Sequence, residues 1–125
     1  MSWLSSLPHQ IPFRAASAVT ARDEKSIEGT FLWTANEFLP AEVMLVEAMA
    51  QFGGGLVFDA SRHGFVSGID GCEIDRGIEV GDLVRIRVIL DADFGGMFRF
   101  RGTASIDGVE VARGRFYLAA APSHA

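Results

Sequence analysis

A chain of 125 residues, 49% hydrophobic and 22% charged, has the length of one domain and a globular composition, which excludes disordered and fibrous classes. Its net charge of −5 argues against nucleic acid as a partner, because phosphate contacts call for a basic surface. The single cysteine, Cys72, excludes an internal disulfide and a CxxC metal site and reads as a small packed side chain.

No apolar run reaches the roughly 20 residues of a membrane-spanning helix. The N-terminus lacks a basic stretch followed by an apolar one, so no signal peptide is expected. No membrane partner and a cytoplasmic location follow as expectations. Met1 to Leu7 reads as a short leader anchored by Trp3 and Leu4. In Leu7–Phe13 the two prolines, Pro8 and Pro12, favour extended or turn geometry. Ala15–Ala21 and Ser26–Thr34 read as two strands of a hairpin around the charged turn Arg22–Lys25.

Pro40–Ser61 reads as a helix. Proline suits its first position, and the residues that follow are apolar on nearly every side, as in a buried helix. Glu47 and Gln51 break the run and, four residues apart, share one face. A carboxylate inside a buried helix is costly unless it is paired or put to use. The structural alternative is a carboxylate held by backbone N–H groups or by an arginine across a dimer. Gly53, Gly54 and Gly55 interrupt the pattern and imply close approach of another backbone or a loosened helix. A phosphate cradle is disfavoured, because these glycines do not follow a strand or open a helix.

Beyond Gly64 the pattern is β. Phe65–Ile69 is a short strand, and Val80–Asp82 is a turn. Leu83–Leu90 alternates strictly, with Arg85 and Arg87 opposite the aliphatic face. Met97–Ile106 follows the Gly95-Gly96 turn and sets Arg99 and Arg101 opposite Phe98 and Phe100. Asp107-Gly108 is a type I′ turn signal, and Val109–Ala119 is the last strand. The arginine faces read as the solvated outside of a sheet, or as a dock for an acidic carrier protein. Two strands, one buried helix and about four hairpin-joined strands make an α+β layout whose sheet edges need partners.

The order of these motifs resembles the 3-hydroxyacyl-(acyl carrier protein) dehydratases, which have the hotdog fold. Leu7–Phe13 resembles their LPH-x-x-PF, and Asn36-Glu37 their NE. Val43–Gly54 (VMLVEAMAQFGG) resembles their V-L-x-x-EA-x-AQ-x-GG. Gly68–Asp70, Val80–Asp82, Phe98–Gly108 and Val111–Phe116 resemble their C-terminal strands. The resemblance implies an antiparallel sheet wrapped around one long central helix, with homodimeric or heterodimeric pairing. It implies an acyl carrier protein or CoA thioester as partner, and no cofactor. It puts Glu47 on the catalytic glutamate and Gln51 on the glutamine one turn later. Glu42 and Val43 fall where a backbone N–H polarises the thioester carbonyl. The family's GHFP histidine has no counterpart in Phe38–Glu42, and Glu42 stands in place of the family's glycine. His9 and His63 are the internal histidines left as replacements. The expected function is that of a divergent dehydratase. The alternatives are a non-catalytic subunit paired with an active dehydratase, or an acyl-CoA thioesterase that uses the helix glutamate.

Overall fold

The computed structural model describes residues 18–33, 41–58 and 64–120. The elements are β1 (Ala18–Arg22), β2 (Ser26–Leu32), α1 (Ala41–Val57), β3 (Gly64–Ile74), β4 (Leu83–Asp93), β5 (Met97–Ile106) and β6 (Val109–Ala120). The strands form one six-stranded antiparallel sheet in the order β1-β2-β4-β5-β6-β3, with β1 and β3 at its edges.

Strict alternation builds the sheet's two faces. Val84, Ile86 and Val88 on β4 are fully buried, and so are Phe100 on β5 and Phe116 on β6. The arginines between them point the other way. Each buried aliphatic or phenyl side chain contributes about 1.5–3 kcal/mol of transfer free energy. The buried face carries α1. Residues Leu45, Ala48, Met49 and Phe52 of the helix are completely enclosed. On the opposite face the arginines stand beside acids. Arg87 meets Glu28, Arg101 meets Asp91, and Arg115 meets Asp70. Arg113 holds Glu73, Asp75 and Glu110 together. Arg85, Arg87 and Arg101 are exposed on this outer face, as expected, while Arg99 lies half-buried on it beside Asp91.

The turns follow their residues. Asp107 (φ 51°) and Gly108 (φ 79°) are both left-handed, as a type I′ hairpin requires. At the β1–β2 turn, Asp23 Oδ1 accepts the N–H groups of Lys25 and Ser26, each at 2.8 Å. The bond from Lys25, then those from Ser26, hold the Asp23 carboxyl below its ordinary 3.8. A lowered folded-state value means that this stabilisation is complete above the unfolded carboxyl's pKa. It is lost as pH falls through the folded value. Asp23→Asn should therefore flatten the acid side of the stability–pH curve below about pH 4, measured by urea midpoints across an acid series.

β1, β2 and β6 end within two residues of the sequence reading, and the larger differences lie in α1, β3 and β4. The helix starts at Ala41 and ends at Val57, 17 residues, so it is shorter than Pro40–Ser61. Its last bond runs from Phe58 N–H to Gly54 O at 2.9 Å, and Arg22 reaches from β1 to donate to Leu56 O at 3.3 Å. That arginine supplies positive charge at a C-terminus whose own last turn has none. The strand β3 runs to Ile74, not Ile69. Gly68 and Gly71 sit at two irregularities in its pairing with β6. The strand also does not join a hairpin with β4. It crosses to the far edge, and β4 pairs with β2. Finally, β4 continues past Leu90 to Asp93 through an irregularity at Asp91. The leader, the Leu7–Phe13 segment, Asn36-Glu37, Pro40, residues 59–63 and the tail 121–125 lie outside the described residues.

Helix and sheet meet closely at Met49. A Cβ added at Gly102 would lie 2.5 Å from Met49 Sδ and 3.0 Å from its Cγ. Gly114, opposite Gly102 on β6, leaves only 3.7 Å between its own absent Cβ and the same sulfur. Met49 is fully enclosed and has little room to turn aside. Gly102→Ala is expected to cost about 1–3 kcal/mol in urea unfolding. In a Met49→Ala background the same change should be close to neutral, because the remaining Met49 Cβ would sit 3.4 Å from the new methyl. A double-mutant cycle measures that coupling directly.

Candidate active site on helix α1

The helix is buried because the sequence leaves it no polar face. Between Val43 and Val57 it carries one charged residue, Glu47, and one amide, Gln51. The structure places them one turn apart on a single side. Gln51 is 2% exposed, Glu47 is half-buried, and both Glu47 Oε2 and Gln51 Nε2 are buried atoms. Met49, two residues from each, points about 200° away toward Gly102. The pair therefore lies on a different side of α1 from the one lodged in the sheet.

Glu42 and Val43 fall in the first turn of α1, where expectation put them, and Val43 is 39% exposed. The first N–H groups of a helix have no partner within it, and the helix dipole places about half a positive charge there. Val43 lies four residues, about 6 Å along the axis, before Glu47. The first three turns of the helix thus combine N–H donors suited to a carbonyl oxygen with a half-buried carboxylate and a buried amide. The carboxylate can accept or return a proton. The amide can orient a substrate or the carboxylate. The N–H groups can stabilise negative charge that develops on oxygen.

His9 and His63, the expected replacements for the missing histidine, lie outside the described residues. Cys72 is half-buried on β3, opposite Gly114 and packed against the core, as a small apolar side chain would be. The sequence reading took Gly53–Gly55 as one unit, and the structure separates its members. The helix runs through all three. Gly53 lies under side chains rather than backbone: its added Cβ would be 3.4 Å from the Phe100 ring and 3.5 Å from Leu118. At Gly54 an added Cβ would meet only Phe58, at 3.8 Å.

No family model matches the chain. Among curated proteins, it is 30% identical over 132 residues to the 3-hydroxyacyl-(acyl-carrier-protein) dehydratase FabZ of Rickettsia massiliae. That match covers 93% of this chain and 89% of the relative. The chain belongs to the 3-hydroxyacyl-(acyl-carrier-protein) dehydratase family. FabZ of Verminephrobacter eiseniae is 32% identical over 125 residues, covering 85% of this chain and 82% of its own. Among solved structures, the dehydratase heterocomplex ApeI:P from Xenorhabdus doucetiae superposes with a TM-score of 0.79 at 18% identity. It covers 94% of this chain and 90% of that one. A hypothetical thioesterase from Streptococcus pneumoniae, solved with coenzyme A, gives 0.67 at 11% identity, covering 86% and 88%. At these identities the structural likeness establishes the fold. The dehydratase-family chain has the hotdog architecture, with the six-stranded antiparallel sheet packed on α1 among the described residues.

Proposed function

We propose that this protein acts on acyl thioesters as a divergent 3-hydroxyacyl dehydratase, with Glu47 as its acid–base group. The observation that carries this reading is the pair Glu47–Gln51 on a buried helix, with the glutamate one turn beyond Val43 in the helix's first turn. Dehydration removes a proton from the α carbon while hydroxide leaves the β carbon and takes up a proton to become water. Glu47 accepts the α proton. The N–H groups of Glu42 and Val43 hold the thioester oxygen as it gains enolate character, and Gln51 fixes the substrate beside the carboxylate.

The proton for the departing hydroxyl comes either from protonated Glu47 or from a group on a second subunit. Pairing with a subunit is supported by β3, a long edge strand whose Ile69 is 55% exposed on the face that carries α1. The occupant is a second copy or a related hotdog subunit. The ApeI:P neighbour is itself a dehydratase heterocomplex, which favours the second. The thioester is carried by acyl carrier protein or CoA. The coenzyme A-bound thioesterase neighbour supports a second reading, hydrolysis of acyl-CoA by the same carboxylate.

The deciding assay offers a trans-2-enoyl thioester to the protein alone and to its mixture with a histidine-containing family member. Loss of enoyl absorbance without thiol release is the expected result. Thiol release from saturated acyl-CoA would replace the dehydratase with the thioesterase. No change in either assay, alone or mixed, would leave Glu47 a structural carboxylate.

A further inference from the structure

We propose that Asp70 and Glu73 on the edge strand β3 select its partner: they weaken pairing with a second copy of this chain and favour a related subunit whose facing edge strand is basic. The inference rests on the subunit pairing at β3 proposed above and deepens it. Residues 64–75 carry Asp70, Glu73 and Asp75 and no lysine, arginine or histidine. All three carboxylates reach arginines of the outer face. Asp70 stands 3.7 Å from Arg115, and Arg113 holds Glu73, Asp75 and Glu110. Four carboxylates thus share two arginines. Both arginines belong to β6, one strand inward and about 4.8 Å from β3. The side chains of Asp70 and Glu73 remain 54% and 76% exposed. A strand added to this edge meets the carboxylates first and the arginines behind them second.

Two identical antiparallel strands pair isologously, so that residue i meets j and j meets i. Centred on Asp70, such a pair sets the two Asp70 side chains face to face. Slid to bring Glu73 and Asp75 into the overlap, it sets acid against acid. Slid the other way, it shortens the ladder. Within residues 64–75 no register opposes a base to an acid, and Arg76 lies beyond the strand with its guanidinium on the Gly77 carbonyl. Like charges directly opposite across strands destabilise a pair. The net charge of −5 on each copy adds a weaker repulsion of longer range. An edge strand with arginine or lysine on its outer face answers both carboxylates and leaves the ladder hydrogen bonds as they are. The apolar side of the edge makes no such choice, because Ile69 on the face of α1 accepts any apolar neighbour.

The experiment measures association by sedimentation equilibrium at about 50 mM and about 500 mM salt, which screen exposed charges weakly and strongly. The samples are wild type, Asp70→Lys/Glu73→Lys, and an equimolar mixture of the two, in which the reversed chain supplies the basic edge. At low salt the mixture should associate about tenfold or more tightly than either chain alone. Raising the salt should strengthen wild-type self-association and weaken the mixed pair. Asp70→Asn/Glu73→Gln removes the charge with little change of shape, and it carries the test if the reversed chain does not fold. It should self-associate about tenfold more tightly than wild type at low salt. A wild-type dimer as tight as the mixture and as the neutral variant would overturn the inference while leaving pairing at β3 standing. Wild-type association that weakens with salt would overturn it as well. Absence of association in all of these samples removes the pairing and the inference with it.

Discussion

Glu47→Gln is expected to lower enoyl-thioester hydration by about 10²–10⁴-fold and to leave the fold intact. The substitution keeps size and shape and removes only the ability to exchange a proton. The residue is half-buried on a helix whose neighbours Val46 and Ala48 are 3% and 0% exposed. Glutamine keeps the size and polar character of the side chain, so a catalytic role predicts an unchanged thermal midpoint. The competing structural role makes the opposite forecast. Breaking a buried ion pair from one side typically costs about 3–5 kcal/mol, and the fall in midpoint would accompany any loss of rate. Measuring both quantities on one variant therefore separates a carboxylate that works from one that only packs.

The largest stability effect should come from Phe100→Ala. Phe100 is completely buried in the middle of β5 and stacks on Phe116 with centroids 5.3 Å apart and planes 17° apart. The same ring lies 3.4 Å from where a Cβ of Gly53 would be, so it also supports the second half of α1. Truncation leaves a cavity between helix and sheet and removes an aromatic pair. About 3–5 kcal/mol is expected, against a total of roughly 5–15 kcal/mol for a domain. Thermal unfolding should move down by on the order of 10–20 °C. A loss below about 1 kcal/mol would mean that the helix can settle into the space, and that the Phe100–Gly53 contact does not hold it.

Much of this architecture was legible from periodicity. The alternation in Leu83–Leu90 and Met97–Ile106 assigned inner and outer faces correctly, because one side of an antiparallel strand is buried and the other is wet. The apolar helix with its polar pair was legible for a similar reason: polar residues in a buried run stand out. What sequence could not supply was pairing between distant strands. Nothing in Gly64–Ile74 says that its partner is β6, and its alternation fades after Ile69, where the pairing itself is irregular. The candidate site residues were named by motif, but which of Gly53 and Gly54 lies under Phe100 was not legible in the sequence. The helix end was overrun for a related reason. Apolar periodicity continues through Phe58, while the chain leaves the helix after Val57 to pack that ring on Phe98.

The placement of β3 also sets a timetable for folding. The strands β4, β5 and β6 follow one another through short turns and can zip locally. β3 is synthesised before all of them, yet it is completed only by the last, and 40 residues separate Glu73 from Arg113 at their contact. Closing that loop costs entropy before any contact compensates it, so β3 should be the last strand to gain amide protection and folding should be slow. Until then its backbone edge and Ile69 stand open on a nascent chain, available to whichever neighbouring polypeptide arrives first.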